Sequence, residues 1–155
     1  MKLKLNEQEY WENYLATLNI DNRPINARVT AAFAGNSQIT DELLSLYLQG
    51  KKTAGSSLVK DFLTAGDPLP QVGDHWIYLD SCSEPRCILR TDRIVTYKFR
   101  DIPLEIPVAE GEGDLSIEYW KRVHSELYKP YLNQWGISDL SEATVITEFF
   151  SLVYG

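Results

Sequence analysis

The sequence predicts an α+β fold, with helices flanking a curled sheet or small mixed β-barrel, on three observations. Helical periodicity is confined to the first third of the chain and to one later segment. β-branched and aromatic runs fill the middle and the C-terminal end. The regular strand–helix alternation of a doubly wound sheet is absent. A length of 155 residues suits one domain over 1–155, with residues 1–38 as an N-terminal helical extension packed on it.

The first helix is expected from Asn6, with Glu9 three residues on as its capping partner, and Tyr10, Tyr14, Leu15 and Leu18 on one face. Asp21-Asn22-Arg23-Pro24 stops it. A second helix is expected behind Thr40 as N-cap. Asp41 and Glu42 fall in its positive first turn, Leu43, Leu44, Tyr47 and Leu48 form its buried stripe, and Gly50 ends it.

Thr53 to Leu58 is small and extended. The Val72-Gly73-Asp74 turn leads into a strand, His75 to Asp80, and Ser81 to Pro85 turns the chain into a long return strand through Thr96 and Tyr97. After the Pro103 to Pro107 stretch, Ala109 to Asp114 is polar and glycine-broken and reads as a loop. Asp114 or Ser116 caps a third helix with Trp120, Val123, Leu127 and Tyr131 at helical spacing, and Pro130 forces a kink or a new short helix. Ala143 to Tyr154 is β-branched and aromatic, a closing strand.

Composition narrows the function. With 15 Lys+Arg against 22 Asp+Glu, the formal charge is −7, which repels a long polyanion over most of the surface. One basic stretch stands apart: Arg86, Arg90, Arg93, Lys98 and Arg100. It suits either a solvated strand edge or a local contact for nucleic acid. No apolar run approaches the ~20 residues of a membrane-spanning helix, and the N-terminus lacks secretory character. Cys82 and Cys87 form no C-x-x-C pair, so neither a disulfide scaffold nor a zinc site is expected. A reduced, cytoplasmic protein without metal or cofactor is the expectation.

Phosphate-loop, dinucleotide, nucleophile-elbow and zincin motifs are missing. Of the two histidines, His75 falls on a strand and His124 on a helix, and both read as structural. Of the four tryptophans, Trp11, Trp120 and Trp135 read as core, with a stacking platform for a base as the alternative. Two segments carry candidate chemistry. Gly50-Lys51-Lys52-Thr53-Ala54-Gly55-Ser56-Ser57 joins glycine, lysine and hydroxyls where a helix hands over to a strand. Glu110-Gly111-Glu112-Gly113-Asp114 sets three carboxylates between glycines. Side by side they assemble lysine, hydroxyl and carboxylate in one cleft, and a desolvated lysine of lowered pKa acts as a base. A glycine C-cap with solvated lysines, and an acidic helix entry, account for the same residues without chemistry.

Leu46-Tyr47-Leu48-Gln49-Gly50-Lys51-Lys52-Thr53 resembles the G-x-K signature of the ASCH domain, a PUA-like family. Val72-Gly73-Asp74 before a strand matches that family's next landmark. Glu110 to Ser116, with Tyr119, Trp120 and His124 behind, resembles its bacterial YhfF-like subset, and the Thr147-Glu148-Phe149-Phe150 strand fits too.

The resemblance implies a PUA-like pseudo-barrel with the lysine in a cleft, and a ligand that is a nucleotide, a modified nucleoside or a short single-stranded RNA. Gly50, Lys51, Thr53, Glu110, Asp114 and Arg90 are then the candidate binding residues. One branch of the family hydrolyses N4-acetylcytidine, which makes an amidohydrolase of N-acylated nucleobases the alternative. Its lysine falls on Lys52 and its glutamate on Glu112, while its nucleophile position falls on Gly55. Thr53, Ser56 or Ser57 must substitute, and Ser56 shares the face of Lys52 in an extended strand. A non-catalytic interaction module is the third reading.

Overall fold

The structure, a computed structural model, describes residues 2–155. In chain order it holds α1 (Leu5–Ala16), β1 (Val29–Phe33), α2 (Thr40–Leu48), β2 (Ala54–Leu58), α3 (Val59–Ala65), β3 (His75–Leu79), β4 (Pro85–Lys98), α4 (Glu105–Glu110), α5 (Ile117–Tyr128) and β5 (Thr144–Tyr154). The strands pair in the order β1-β3-β4-β5-β2. β1 runs parallel to β3, whereas β3–β4 and β2–β5 are antiparallel. This is the mixed α+β architecture the sequence predicts, with its hairpin and its closing strand in place.

The chain forms two compact units, one holding residues up to Gly50 with Val72–Asp92 and Phe150–Gly155, the other Lys51–Gln71 and Arg93–Phe149. In the first, Leu43, Leu44 and Tyr47 of α2 pack with Cys87, Leu89 and Phe150. Its second cluster sets Tyr14 of α1 against Ile77, Leu79 and Ile88. The second unit has its own core of Leu58, Phe99, Ile102, Ile106, Trp120, Tyr128, Trp135 and Val145.

Local chemistry explains where elements start and stop. The Glu7 carboxylate accepts the Lys4 backbone N–H at 2.9 Å, so the capping pair of α1 is Lys4 and Glu7 instead of Asn6 and Glu9. Thr40 opens α2 as its first residue, its hydroxyl donating to the carbonyls of Ala34 and Asn36. Gly50, at φ 71°, ends that helix in the left-handed conformation expected. Ser116 caps α5 by accepting the Tyr119 N–H at 3.0 Å.

Four further features differ from expectation. Val29–Phe33 is a strand, so the stretch before residue 39 is not helical throughout. Val59–Ala65 is a short helix ended by Gly66. Glu105–Glu110 is helical although Pro107 interrupts it, because Pro107 is its third residue, where an N–H has no intrahelical acceptor to lose. The buried face of α5 is Trp120, His124 and Tyr128, while Leu127 and Tyr131 stay exposed. Pro130 sits in a short 3-10 helix after α5, the new short helix expected there. Among the described residues, no helix is long and apolar enough to cross a membrane.

Candidate functional site

The candidate site lies wholly within the second unit and is assembled around the end of α4. Thr53 donates its backbone N–H to the Ala109 carbonyl at 2.7 Å, and its hydroxyl reaches the same oxygen at 3.1 Å. This ties the start of β2 to the last turn of α4. Gly111 then ends α4 at φ 70°, and a Cβ there would stand 2.0 Å from the Lys51 carbonyl oxygen. Only glycine lets the two backbones pass so closely.

That approach carries Lys52 inward, leaving it 6% exposed. Its ammonium lies 3.3 Å from Glu110 Oε1, 3.5 Å from the Glu110 carbonyl oxygen and 2.9 Å from Glu112 Oε2. The lysine and Glu112, 60 residues apart in sequence, therefore meet.

Glu110 is the hub. Its Oε2 accepts the Ser56 hydroxyl at 2.8 Å and the Trp120 indole N–H. Its Oε1 takes Lys52 and faces His124 Nε2 at 3.6 Å. His124 Nδ1 lies 2.8 Å from the Trp120 carbonyl oxygen, so that nitrogen carries a proton, since a carbonyl only accepts. The imidazole also stacks on the Trp120 indole, centroids 3.9 Å apart. Ser56 spends its one proton on Glu110 and accepts from the Thr147 hydroxyl, at 2.7 Å.

These contacts fix the charges. Burial works to raise the Glu110 carboxyl, but Lys52, His124 and Trp120 outweigh it and hold the pKa down at about 2. Burial works to lower Lys52, yet Glu110 and Glu112 carry it above the ordinary lysine value. The expected base of lowered pKa is thus corrected. Lys52 is locked as a cation, and the Ser56 hydroxyl sits on Glu110. Burial, with Glu110 and Asp61 nearby, also pushes the Tyr128 phenol well up.

A small cleft opens beside this cluster, lined by Pro107, Glu110, Glu112, Tyr119, Trp120, Val123 and His124. Tyr119 packs over Gly113, where a Cβ would come within 2.4 Å of the ring. Lys52 and Ser56 stand behind the carboxylates and do not line the cleft.

The remaining predicted residues are placed as follows. Lys51 and Thr53 are exposed at the start of β2, and Gly50 is exposed at the end of α2. Asp114 is exposed and accepts the Ser116 N–H at 3.0 Å. Arg90 belongs to the first unit, with its guanidinium on Asp92 at 2.7 Å. The rest of the basic stretch is also paired: Arg86 with Asp80, Arg93 with Glu105, and both Lys98 and Arg100 with Glu142. Sequence reasoning passed over Trp120, His124 and Thr147 as site residues. The readable signal was Trp120-x-x-x-His124-x-x-x-Tyr128, three aromatic rings with polar tips on one helix face. No group of three or more His, Cys, Asp or Glu suited to a metal exists among the described residues.

Two solved structures are similar to this chain. An ASCH domain from Lactobacillus crispatus JV V101 superposes with a TM-score of 0.92 at 22% identity, covering 100% of this chain and 98% of that one. Protein EF3133 from Enterococcus faecalis V583, of family-model DUF984, gives a TM-score of 0.80 at 23% identity, covering 96% of this chain and 88% of the other. Among curated proteins, none matches. The model of the ASCH domain matches residues 29–154, from the first residue of β1 to the last of β5, and the chain belongs to the ASCH domain family.

Proposed function

We propose that this ASCH domain binds a single nucleoside or nucleotide, or the exposed base of a short single-stranded RNA, in the cleft beside Glu110 and Glu112. The observation that carries this reading is the fully ligated Lys52–Glu110 pair beneath a cleft walled by Tyr119, Trp120 and Val123. Small-ligand sites combine apolar and aromatic walls with a few fixed polar groups, and this cleft has that composition. A planar base stacks on such walls whatever its sequence context. The charges are held in advance, so a ligand meets a polar edge that needs no reorganisation.

Hydrolysis of an N-acylated nucleobase is the second reading, favoured by one contact, Ser56 Oγ to Glu110 Oε2 at 2.8 Å with Thr147 behind it. A nucleophile beside a carboxylate is a recognised arrangement. A carboxyl held at about 2 is nevertheless a poor base near neutral pH, and Ser56 stands outside the cleft lining. Binding is therefore preferred.

Calorimetry with nucleosides, 5′-monophosphates and a short single-stranded RNA tests the proposal, run on the parent, Glu112→Gln and Tyr119→Ala. At least one ligand class should bind, and each substitution should weaken it by about tenfold or more, near 1.4 kcal/mol. Absence of binding across the panel, or binding that neither substitution alters, would refute it. Hydrolysis of N4-acetylcytidine that is lost in Ser56→Ala would instead establish the second reading.

A further inference from the structure

We infer that the cleft selects a neutral planar ring presenting two adjacent N–H donors, as guanine does, and discriminates against phosphate. This deepens the binding reading above and rests on it.

The inference follows from which polar atoms remain unspent. Three acceptors surround the Lys52 ammonium, namely Glu110 Oε1, the Glu110 carbonyl and Glu112 Oε2, so the cation is turned inward, away from any ligand. The Trp120 indole N–H is given to Glu110 Oε2, and His124 is engaged at both ring nitrogens, by the Trp120 carbonyl and Glu110 Oε1. The indole and imidazole donors of the wall are therefore consumed, and the Tyr119 hydroxyl is the lining donor left for a ring carbonyl. Glu112 is the one lining carboxylate with reach left. Its Oε2 meets Lys52 and retains a lone pair, its Oε1 has no hydrogen-bond partner among the described residues, and its side chain is 20% exposed.

A carboxylate with lone pairs left on both oxygens is matched by two parallel N–H donors. A base offering one such donor leaves an acceptor unmet, and one offering a carbonyl there meets repulsion. Tyr119, Val123 and Pro107 supply apolar wall for a ring. The lining itself holds no lysine or arginine, the Arg122 guanidinium being set over the Tyr119 ring at 5.3 Å, and the basic stretch outside the cleft is matched by Asp80, Asp92, Glu105 and Glu142.

The test is calorimetry on the full chain with guanosine, inosine, guanosine 5′-monophosphate and methylguanidine. Inosine lacks the 2-amino donor, and methylguanidine keeps the donors without the fused ring. Guanosine should bind at least about tenfold tighter than inosine or methylguanidine and no weaker than its monophosphate. Its affinity should be unchanged between about 50 and 500 mM salt, as expected of an uncharged ligand. In Glu112→Gln the preference over inosine should fall to within about twofold, because one acceptor oxygen becomes a donor.

Equal binding of inosine or methylguanidine overturns the inference. So does monophosphate binding that is tighter than guanosine and weakened by salt. In these outcomes the broader nucleoside, nucleotide or RNA reading survives. If nucleosides, nucleotides and RNA all fail to bind, both fall.

Discussion

Replacing Lys52 with methionine isolates what the buried cluster contributes. Methionine matches the length of the stem and removes the charge, leaving Glu110 buried at 3% side-chain exposure with donors from Ser56, Trp120 and His124 only. Removing one partner of a buried pair costs about 3–5 kcal/mol. Linkage gives an independent figure. A carboxyl held at about 2 instead of 4.5 contributes roughly 3 kcal/mol at neutral pH by the 1.36 kcal/mol-per-unit relation.

The sign follows from the depressed value. This stability is present above pH 4.5 and is lost as pH falls towards 2. The raised Lys52 value acts on the alkaline side, so it does not enter this window. Chemical denaturation at pH 7 should therefore show Lys52→Met less stable than the parent by about 3 kcal/mol, a drop in melting temperature of roughly 6–12 °C. At pH 3 the gap should narrow by about 2 kcal/mol, because the parent has by then lost most of the Glu110 term. A loss under about 1 kcal/mol at pH 7, or an equal loss at both pH values, would refute the reasoning.

Gly111→Ala should destabilise by at least about 2 kcal/mol, because the new methyl adds left-handed strain to a collision with the backbone oxygen of Lys51, 2.0 Å away. It should also weaken whatever the cleft binds, and denaturation together with ligand titration checks both effects. Burial pushes the Cys87 thiol up to about 12, whereas Cys82 is exposed, so a thiol reagent near pH 8 should label one cysteine in the native state and two after unfolding.

The elements that could be read from sequence are those whose burial is decided locally. His75–Leu79 alternates buried and half-buried residues along its length, and the turn at Ser81–Glu84 fixes its partner strand. The closing strand is legible for the same reason. β1 is not, because Val29–Phe33 contains two alanines and takes its identity from parallel pairing with β3, about 45 residues later. A parallel partner leaves no turn between the strands to announce it. α4 is hidden differently, since its proline marks a break everywhere except in the first turn, where it stands.

The same distinction separates the halves of the site. Lys52 and Glu112 were readable because glycines flank each charged segment and glycine marks close backbone approach, which Gly111 and Lys51 then make. The α5 half was not, because apolar periodicity assigns the buried face to Trp120, Val123 and Leu127. The observed face is rotated towards His124 and Tyr128, leaving Leu127 37% exposed. The energies account for the rotation. Forgoing part of a leucine's burial costs about 1–2 kcal/mol, whereas a buried carboxylate short of donors costs several. Glu110 needs the Trp120 indole N–H and the His124 ring, so the helix turns to supply them. Hydrophobic pattern reads one helix at a time, while a buried charge draws its partners from every element around it. Where the two conflict, the charge decides, and in this protein that conflict falls at the cleft.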